Sequence, residues 1–235
     1  MLHKTRGIVL TAIRHTETSL ICKIYTERFG LQSYLIYGAR KPRAKISAAI
    51  LQPMHLLDLV VYHKTNGTLQ KMAEAQQVPL FERIPYDIEK RTIMLFLAEV
   101  LNKVIKNEEA DAPLFEFIYT MIVWYDRAEG KERNFHLFFL LKLTQYLGVY
   151  PDQDYWARTF KRGGGVQEPS LDVDASTMAG YWDCFLRANV GSIKEIKLNT
   201  FARRQLLRHI IDYYQEHVGA IEPLKSQAVL ESIWE

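Results

Sequence analysis

Cysteine is almost absent from this chain. Only Cys22 and Cys184 occur, far apart and with no Cys-x-x-Cys pair. That excludes a disulfide framework and a cysteine-rich zinc site, and it fits a reducing compartment. Long apolar runs are missing too. No stretch approaches the roughly 18–20 residues a membrane helix needs, and the opening MLHKTRGIVL lacks the apolar segment of a signal peptide. There is no Walker loop, Rossmann fingerprint, Gly-x-Ser-x-Gly elbow or His-Glu-x-x-His pair, the usual carriers of phosphate, dinucleotide, acyl-transfer and zinc-protease chemistry. The expectation is a soluble cytoplasmic protein that binds instead of catalysing, with no cofactor and no membrane partner.

Acid is the third scarcity, and a local one. Between Glu27 and Asp58 there is none, while Arg28, Arg40, Lys41, Arg43 and Lys45 all fall in that interval. The net charge of +3 hides this distribution. Residues 1–80 hold 11 Lys+Arg against 4 Asp+Glu, the remainder 19 against 23. A basic first third on an acidic remainder points to two modules, the first facing a polyanion. The content is otherwise that of a globular protein with a real core, 48% hydrophobic and 24% charged.

What is present in residues 1–80 is β pattern. Thr5–Arg14 is a β-branched run, His15–Thr18 a polar turn, and Ser19–Thr26 alternates. Phe29-Gly30 turns into the aromatic run Leu31–Tyr37, which Gly38 breaks. The basic segment follows, with Pro42 inside it, so it is neither a comfortable helix nor a central strand. Ser47–Leu51 has room for one helical turn. Met54–Lys64 and Thr68–Gln77 then flank Thr65-Asn66-Gly67, a hairpin signal. Five strands with a loop or helical turn between the third and fourth predict an OB-type barrel, favoured over an SH3-like one.

Beyond Pro79 the period becomes helical. Helices are predicted from about Asp87 to Lys106, after an Asp111 cap with Pro113 in the first turn, over Asn134–Leu147, Thr177–Asn189, Phe201–His217 capped by Thr200, and Ser226–Trp234. Residues 151–175 carry no periodicity and read as an exposed insertion. Its Gly163–Gly165 run is not preceded by a strand, and its pairs Asp152/Asp154 and Asp172/Asp174 sit in polar sequence where carboxylates are usually just solvated. His55 and His63 share strand parity but lack a third ligand for zinc. Cys22 lies in an apolar strand and reads as core. The fold class is therefore α+β: a five-stranded OB-fold barrel over 1–80, then an all-α domain over 81–235 without a cysteine zinc finger.

A run of short motifs now falls into place. Gly7-Ile8-Val9-Leu10, Ser19-Leu20-Ile21, Tyr25-Thr26, Phe29-Gly30, Tyr37-Gly38-Ala39-Arg40-Lys41 and Leu51-Gln52-Pro53 resemble the RecO family of bacterial recombination and repair mediators. Leu97–Leu101, Leu140–Gly148 with Tyr150-Pro151, and Lys225–Leu230 agree, so the resemblance spans the chain. It implies a non-enzymatic, nucleoid-associated protein that binds single- and double-stranded DNA, anneals complementary strands and helps RecA replace single-strand-binding protein. The partners it implies are RecR and the acidic tail of single-strand-binding protein, with RecA indirectly. Many relatives carry four cysteines in the insertion, which this chain lacks.

Charge and resemblance meet in the basic segment. Arg40, Lys41, Arg43 and Lys45 are expected to contact phosphates, with Lys4, Arg6 and Arg14 extending the patch along the first strand. Tyr34 and Tyr37 lie at odd spacing and so on opposite faces, one able to stack on bases and the other core. Arg203, Arg204 and Arg208, with Trp182, are candidates for an acidic partner peptide, against the plainer reading of solvated helix-end charge. An OB-domain RNA-binding factor is the competing function.

Overall fold

The computed structural model describes residues 1–64, 67–106, 109–130, 132–151, 155, 175–219, 221 and 223–233. Five strands are present: β1 Leu2–Arg14, β2 Leu20–Thr26, β3 Gly30–Ile36, β4 Leu56–Tyr62 and β5 Gln70–Gln77. They close into a barrel in the order β1-β2-β3-β5-β4, with β1 also paired to β4. All pairs are antiparallel except β3 with β5. This parallel closure is the OB arrangement, and it decides against the SH3-like alternative.

Alternation sends one face of each strand inward. Val9, Cys22, Ile24, Tyr34, Ile36, Leu57, Leu59 and Val61 pack together at the barrel centre. β1 can cross this centre because Gly7 has no side chain; a Cβ there would lie 2.6 Å from Leu59 Cδ1 and 2.7 Å from Ile24 Cγ2. The predicted turn before β4 is a 3-10 turn, Ala48–Ile50, capped by the Ser47 hydroxyl, which accepts from Ala49 N at 3.2 Å. The predicted hairpin residues Thr65 and Asn66 lie outside the described residues, and β5 starts at Gln70, two residues later than the pattern suggested.

The compact unit that holds the barrel comprises Met1–Arg127 with Leu224–Gln227. It includes helices α1 (Ile88–Val104) and α2 (Ala112–Arg127). Asp87 caps α1 by accepting from Lys90 N at 3.0 Å, and Asp111 caps α2 by accepting from Leu114 N at 3.0 Å, as its sequence position predicts. Ile93, Leu97, Val100, Leu101 and Val104 are buried along α1. Asp126, at the end of α2, is buried and accepts from three backbone N–H groups, those of Glu82, Arg83 and Ile84, at 2.8–3.0 Å.

The second unit comprises Ala128–Pro223 with Ala228–Glu235. It holds α3 (Phe135–Tyr146), α4 (Ala175–Arg187) and α5 (Thr200–His217), and most of α6 (Lys225–Ser232). Phe135, Phe138 and Phe139 are buried on α3, and Leu207, Ile210, Ile211 and Tyr214 on α5, at the spacing the sequence shows. The cap of α5 is Asn199, which accepts from Ala202 N at 2.7 Å, and not Thr200, which is already the first helical residue. Asparagine is at least as good an acceptor there, and the chain simply starts the helix one residue earlier. Nearly all of the irregular 151–175 stretch, with its glycines and aspartates, lies outside the described residues.

Candidate nucleic-acid interface

The basic segment is a loop hung between two apolar anchors. Ala39 and Ile46 are buried in the barrel core, and Ala48 N donates to Ala39 O at 2.9 Å, closing the loop at its base. Between the anchors, Arg40, Lys41, Arg43 and Lys45 are all exposed. The loop turns through Gly38 at φ 69° and Arg43 at φ 61°. A left-handed arginine costs on the order of 1 kcal/mol, and it is held here just after Pro42.

A second piece of chain joins the loop. Arg40 N donates to Thr18 O at 3.1 Å and Arg40 Nη1 donates to Glu17 O at 3.1 Å. The β1–β2 turn and the loop therefore share one rim, which also carries exposed Arg14 at the end of β1. The charge is little compensated. Lys45 Nζ lies 3.8 Å from Glu74 Oε1, between two largely exposed side chains, a pairing worth about 1 kcal/mol or less.

The two tyrosines divide as parity predicts. Tyr37 stands at the rim, 71% exposed, while Tyr34 is fully buried in the barrel centre. Burial raises the Tyr34 hydroxyl pKa well above its usual value, and among the described residues that hydroxyl has no hydrogen-bond partner. Tyr34 therefore has no ring face to offer a base. Lys4 is exposed on the outer side of β1.

Arg6 sits differently from Lys4. Its Nε and Nη2 bond the two carboxylate oxygens of Glu27 at 3.0 and 2.8 Å, and Nη2 also bonds Glu116. Its guanidinium lies over the Phe115 and Tyr119 rings, 5.2 and 4.8 Å from their centroids. A cation flanked by two carboxylates has little left to give a phosphate. Its partner shows the same pairing: the Arg6 hydrogen bond is the main reason that the Glu27 carboxyl titrates below its usual range. Arg6 is thus a structural tie and not part of a free cationic face.

In the helical unit the four candidates also separate. Arg203 is buried, donating through Nε to Asn134 Oδ1 at 2.9 Å and through Nη2 to Leu198 O at 3.0 Å. Trp182 is buried as well. Arg204 Nη2 donates to Glu231 O at 2.9 Å, and Arg208 is exposed. Burial of Arg203 and Trp182 leaves Arg208 as the exposed member of the four. Neither packing partner, Asn134 nor Leu198, could be inferred from charge pattern alone.

No group of three His, Cys, Asp or Glu side chains able to hold a metal occurs among the described residues. His55 Nδ1 bonds Ile50 O at 3.2 Å, and His63 stacks on Phe29 with centroids 4.1 Å apart. Each histidine thus has its own packing role. Among the described residues no helix is long and apolar enough to cross a membrane. Two exposed lysines, Lys23 on β2 and Lys71 on β5, flank the outward side of β3. Strand parity alone would have placed Lys23 there.

Comparison with known families completes the site. Residues 1–81 match the family described as Recombination protein O N terminal, and residues 85–228 match Recombination protein O C terminal. The chain is 32% identical to the DNA repair protein RecO of Bacteroides fragilis, with both chains covered in full. It is 34% identical to that of Flavobacterium johnsoniae and 32% to that of Flavobacterium psychrophilum, each with 98% of both chains covered. With both halves matched and relatives similar from end to end, the chain belongs to the RecO family of DNA repair proteins.

Proposed function

We propose that this protein is a non-enzymatic recombination mediator. It binds single- and double-stranded DNA through the rim formed by Arg14, Tyr37, Arg40, Lys41, Arg43 and Lys45, with Lys4 further along β1. It anneals complementary strands and, with RecR, assists RecA in replacing single-strand-binding protein, acting in the cytoplasm at the nucleoid. The barrel of residues 1–80 carries the DNA and the helices of 81–235 carry the protein partners, including the acidic tail of single-strand-binding protein.

The observation that carries this reading is the loop between Ala39 and Ile46. Four exposed bases face solvent, held by two buried anchors and beside one exposed aromatic ring. Clustered cations bind phosphates without reading sequence, and an aromatic face stacks on any base, so the pair suits a strand of arbitrary sequence. Indifference to sequence is also what annealing requires. Arg6 and Tyr34 are left out, the first because two carboxylates hold it and the second because it is core.

Annealing of complementary oligonucleotides, alone and coated with single-strand-binding protein, tests the reading. The intact protein is expected to accelerate both reactions, and the variant R40A/K41A/R43A/K45A to accelerate neither. Equal rates for the two proteins would overturn it. Competition between DNA and RNA strands separates it from an RNA-binding role, because preference for RNA needs contacts to the 2′-hydroxyl.

A further inference from the structure

The barrel of residues 1–80 is basic, yet it gathers its few acids in one place. Its carboxylates are Glu17, Glu27, Asp58 and Glu74. The last three come from just after β2, from β4 and from β5, and together they line one recess of about 550 Å³. The recess lies on the outer side of β1, β4 and β5. Alternation puts Asp58 and Val60 there, opposite in parity to the core residues Leu57, Leu59 and Val61.

The two cations of the recess, Lys4 and Arg6, leave it acidic. Arg6 is the register partner of Asp58, but its guanidinium is held by Glu27 and Glu116. Lys4 and Glu74 are both register partners of Val60, so they sit two strands apart, about 9–10 Å. That is beyond the reach of an ion pair. Glu74 instead lies 3.8 Å from Lys45, at the end of the basic loop. An acidic recess and a cationic loop are therefore neighbours on one barrel. The loop closes at its base between Ala39 and Ala48, so its four exposed bases project outward.

We propose that the recess is a docking site for a second copy of this chain, whose basic loop enters it. The partner subunit's Lys41 and the partner subunit's Arg43, at the tip of the loop, meet Asp58 and Glu74. Because loop and recess adjoin at Glu74, a two-fold axis beside that residue exchanges the two loops and closes the contact as an isologous dimer. Charge selects this arrangement, since loop against loop and recess against recess both repel. The pairing goes beyond DNA binding: a loop seated in a recess cannot hold a strand, so the dimer is a DNA-free form.

The test uses the full chain in sedimentation equilibrium, without DNA, between ~0.05 M and ~0.5 M salt. Four samples are compared: the intact chain, R40A/K41A/R43A/K45A, D58N/E74Q, and an equimolar mixture of the two variants. The intact chain is expected to self-associate at low salt and to dissociate as salt rises. Each variant alone is expected to associate at least about tenfold more weakly. The mixture is expected to regain association, because one variant keeps the recess and the other keeps the loop. D58N/E74Q is nearly isosteric with the parent, and its binding to a single strand of about 16 nucleotides, with the parent's salt slope, shows that it is folded.

An intact chain that stays monomeric throughout overturns the proposal. So does a D58N/E74Q protein that associates like the parent, or a mixture no more associated than its components. These results leave the DNA reading untouched, since that rests on strand binding by the loop variant. If association follows the expected pattern while the loop variant binds strands like the parent, the dimer stands and the rim reading falls.

Discussion

Arg40 is bound to Glu17 across two loops: its guanidinium Nη1 donates to the Glu17 carbonyl at 3.1 Å. Its backbone N–H makes the neighbouring bond to Thr18 O, also at 3.1 Å. One arginine thus fixes the β1–β2 turn to the basic loop while its remaining N–H groups face solvent. A side chain that both braces and binds should behave differently from its neighbours when it is replaced.

For Arg40, charge and bracing can be separated. Arg40→Ala is expected to reduce the salt slope of single-strand binding by about 0.7, one phosphate contact. Arg40→Lys is expected to keep the slope and weaken binding by a few-fold, because lysine retains the charge but not the planar fork that reaches the Glu17 carbonyl. For the intact protein, about five neutralised phosphates give a slope near −3.5, and removing all four loop bases flattens it by about 2–3. Filter binding across a salt series measures both, and a slope independent of the loop removes it from the interface.

The tyrosine pair gives opposite phenotypes from residues three apart in sequence. Tyr37→Ala is expected to leave the melting temperature unchanged and to weaken strand binding by about 1–3 kcal/mol, the value of one stacked base. Tyr34→Ala is expected to lower stability by about 3–5 kcal/mol through the cavity it leaves in the barrel. Tyr34→Phe removes a buried hydroxyl that has no partner among the described residues, so it is expected to be neutral or stabilising. Thermal denaturation and strand titration of the three variants check this together. A destabilised Tyr34→Phe protein would mean that the hydroxyl is satisfied after all.

Much of this was written locally in the chain. The strand alternation, the Asp111 cap, the turn at Ser47–Leu51 and the outward bases of the loop each depend on residues a few positions apart. What escaped the sequence depends on distant partners. Arg6 looks like one more base on a basic strand until Glu116, 110 residues away, comes beside it. Arg203 looks like helix-end charge until Asn134 meets it from 69 residues away. Charge pattern reports the sign of a side chain but not whether the fold has already neutralised it.

Asp126 illustrates the same dependence as a matter of stability. Its buried carboxylate accepts from the N–H groups of Glu82, Arg83 and Ile84, which begin the link between barrel and helix α1. Asp126→Ala leaves three donors without this acceptor, each costing about 1–3 kcal/mol where water cannot replace it. A loss of about 3 kcal/mol or more is expected in urea denaturation, with Asp126→Asn intermediate because one oxygen remains. A variant as stable as the parent would show that water reaches those amides.

Glu99 adds a pH dependence with a definite sign. Burial by itself would raise its carboxyl pKa, but hydrogen bonds from Ser226 and Lys225 outweigh this and the net shift is downward. The carboxylate accepts from Lys225 N at 3.0 Å, from Ser226 N at 2.8 Å and from the Ser226 hydroxyl, and so caps the first turn of α6. A group whose folded pKa is depressed contributes stability above its unfolded pKa, and that contribution is lost as pH falls through the folded value. Glu99→Gln is therefore expected to be less stable than the parent near neutral pH, by about 1 kcal/mol for a partly exposed charged cap. The difference should shrink as pH falls below about 4.5, the ordinary glutamate range. Denaturation midpoints of the two proteins across that range measure the gap, and one that stays constant into acid would show that the charge of Glu99 plays no part in holding α6.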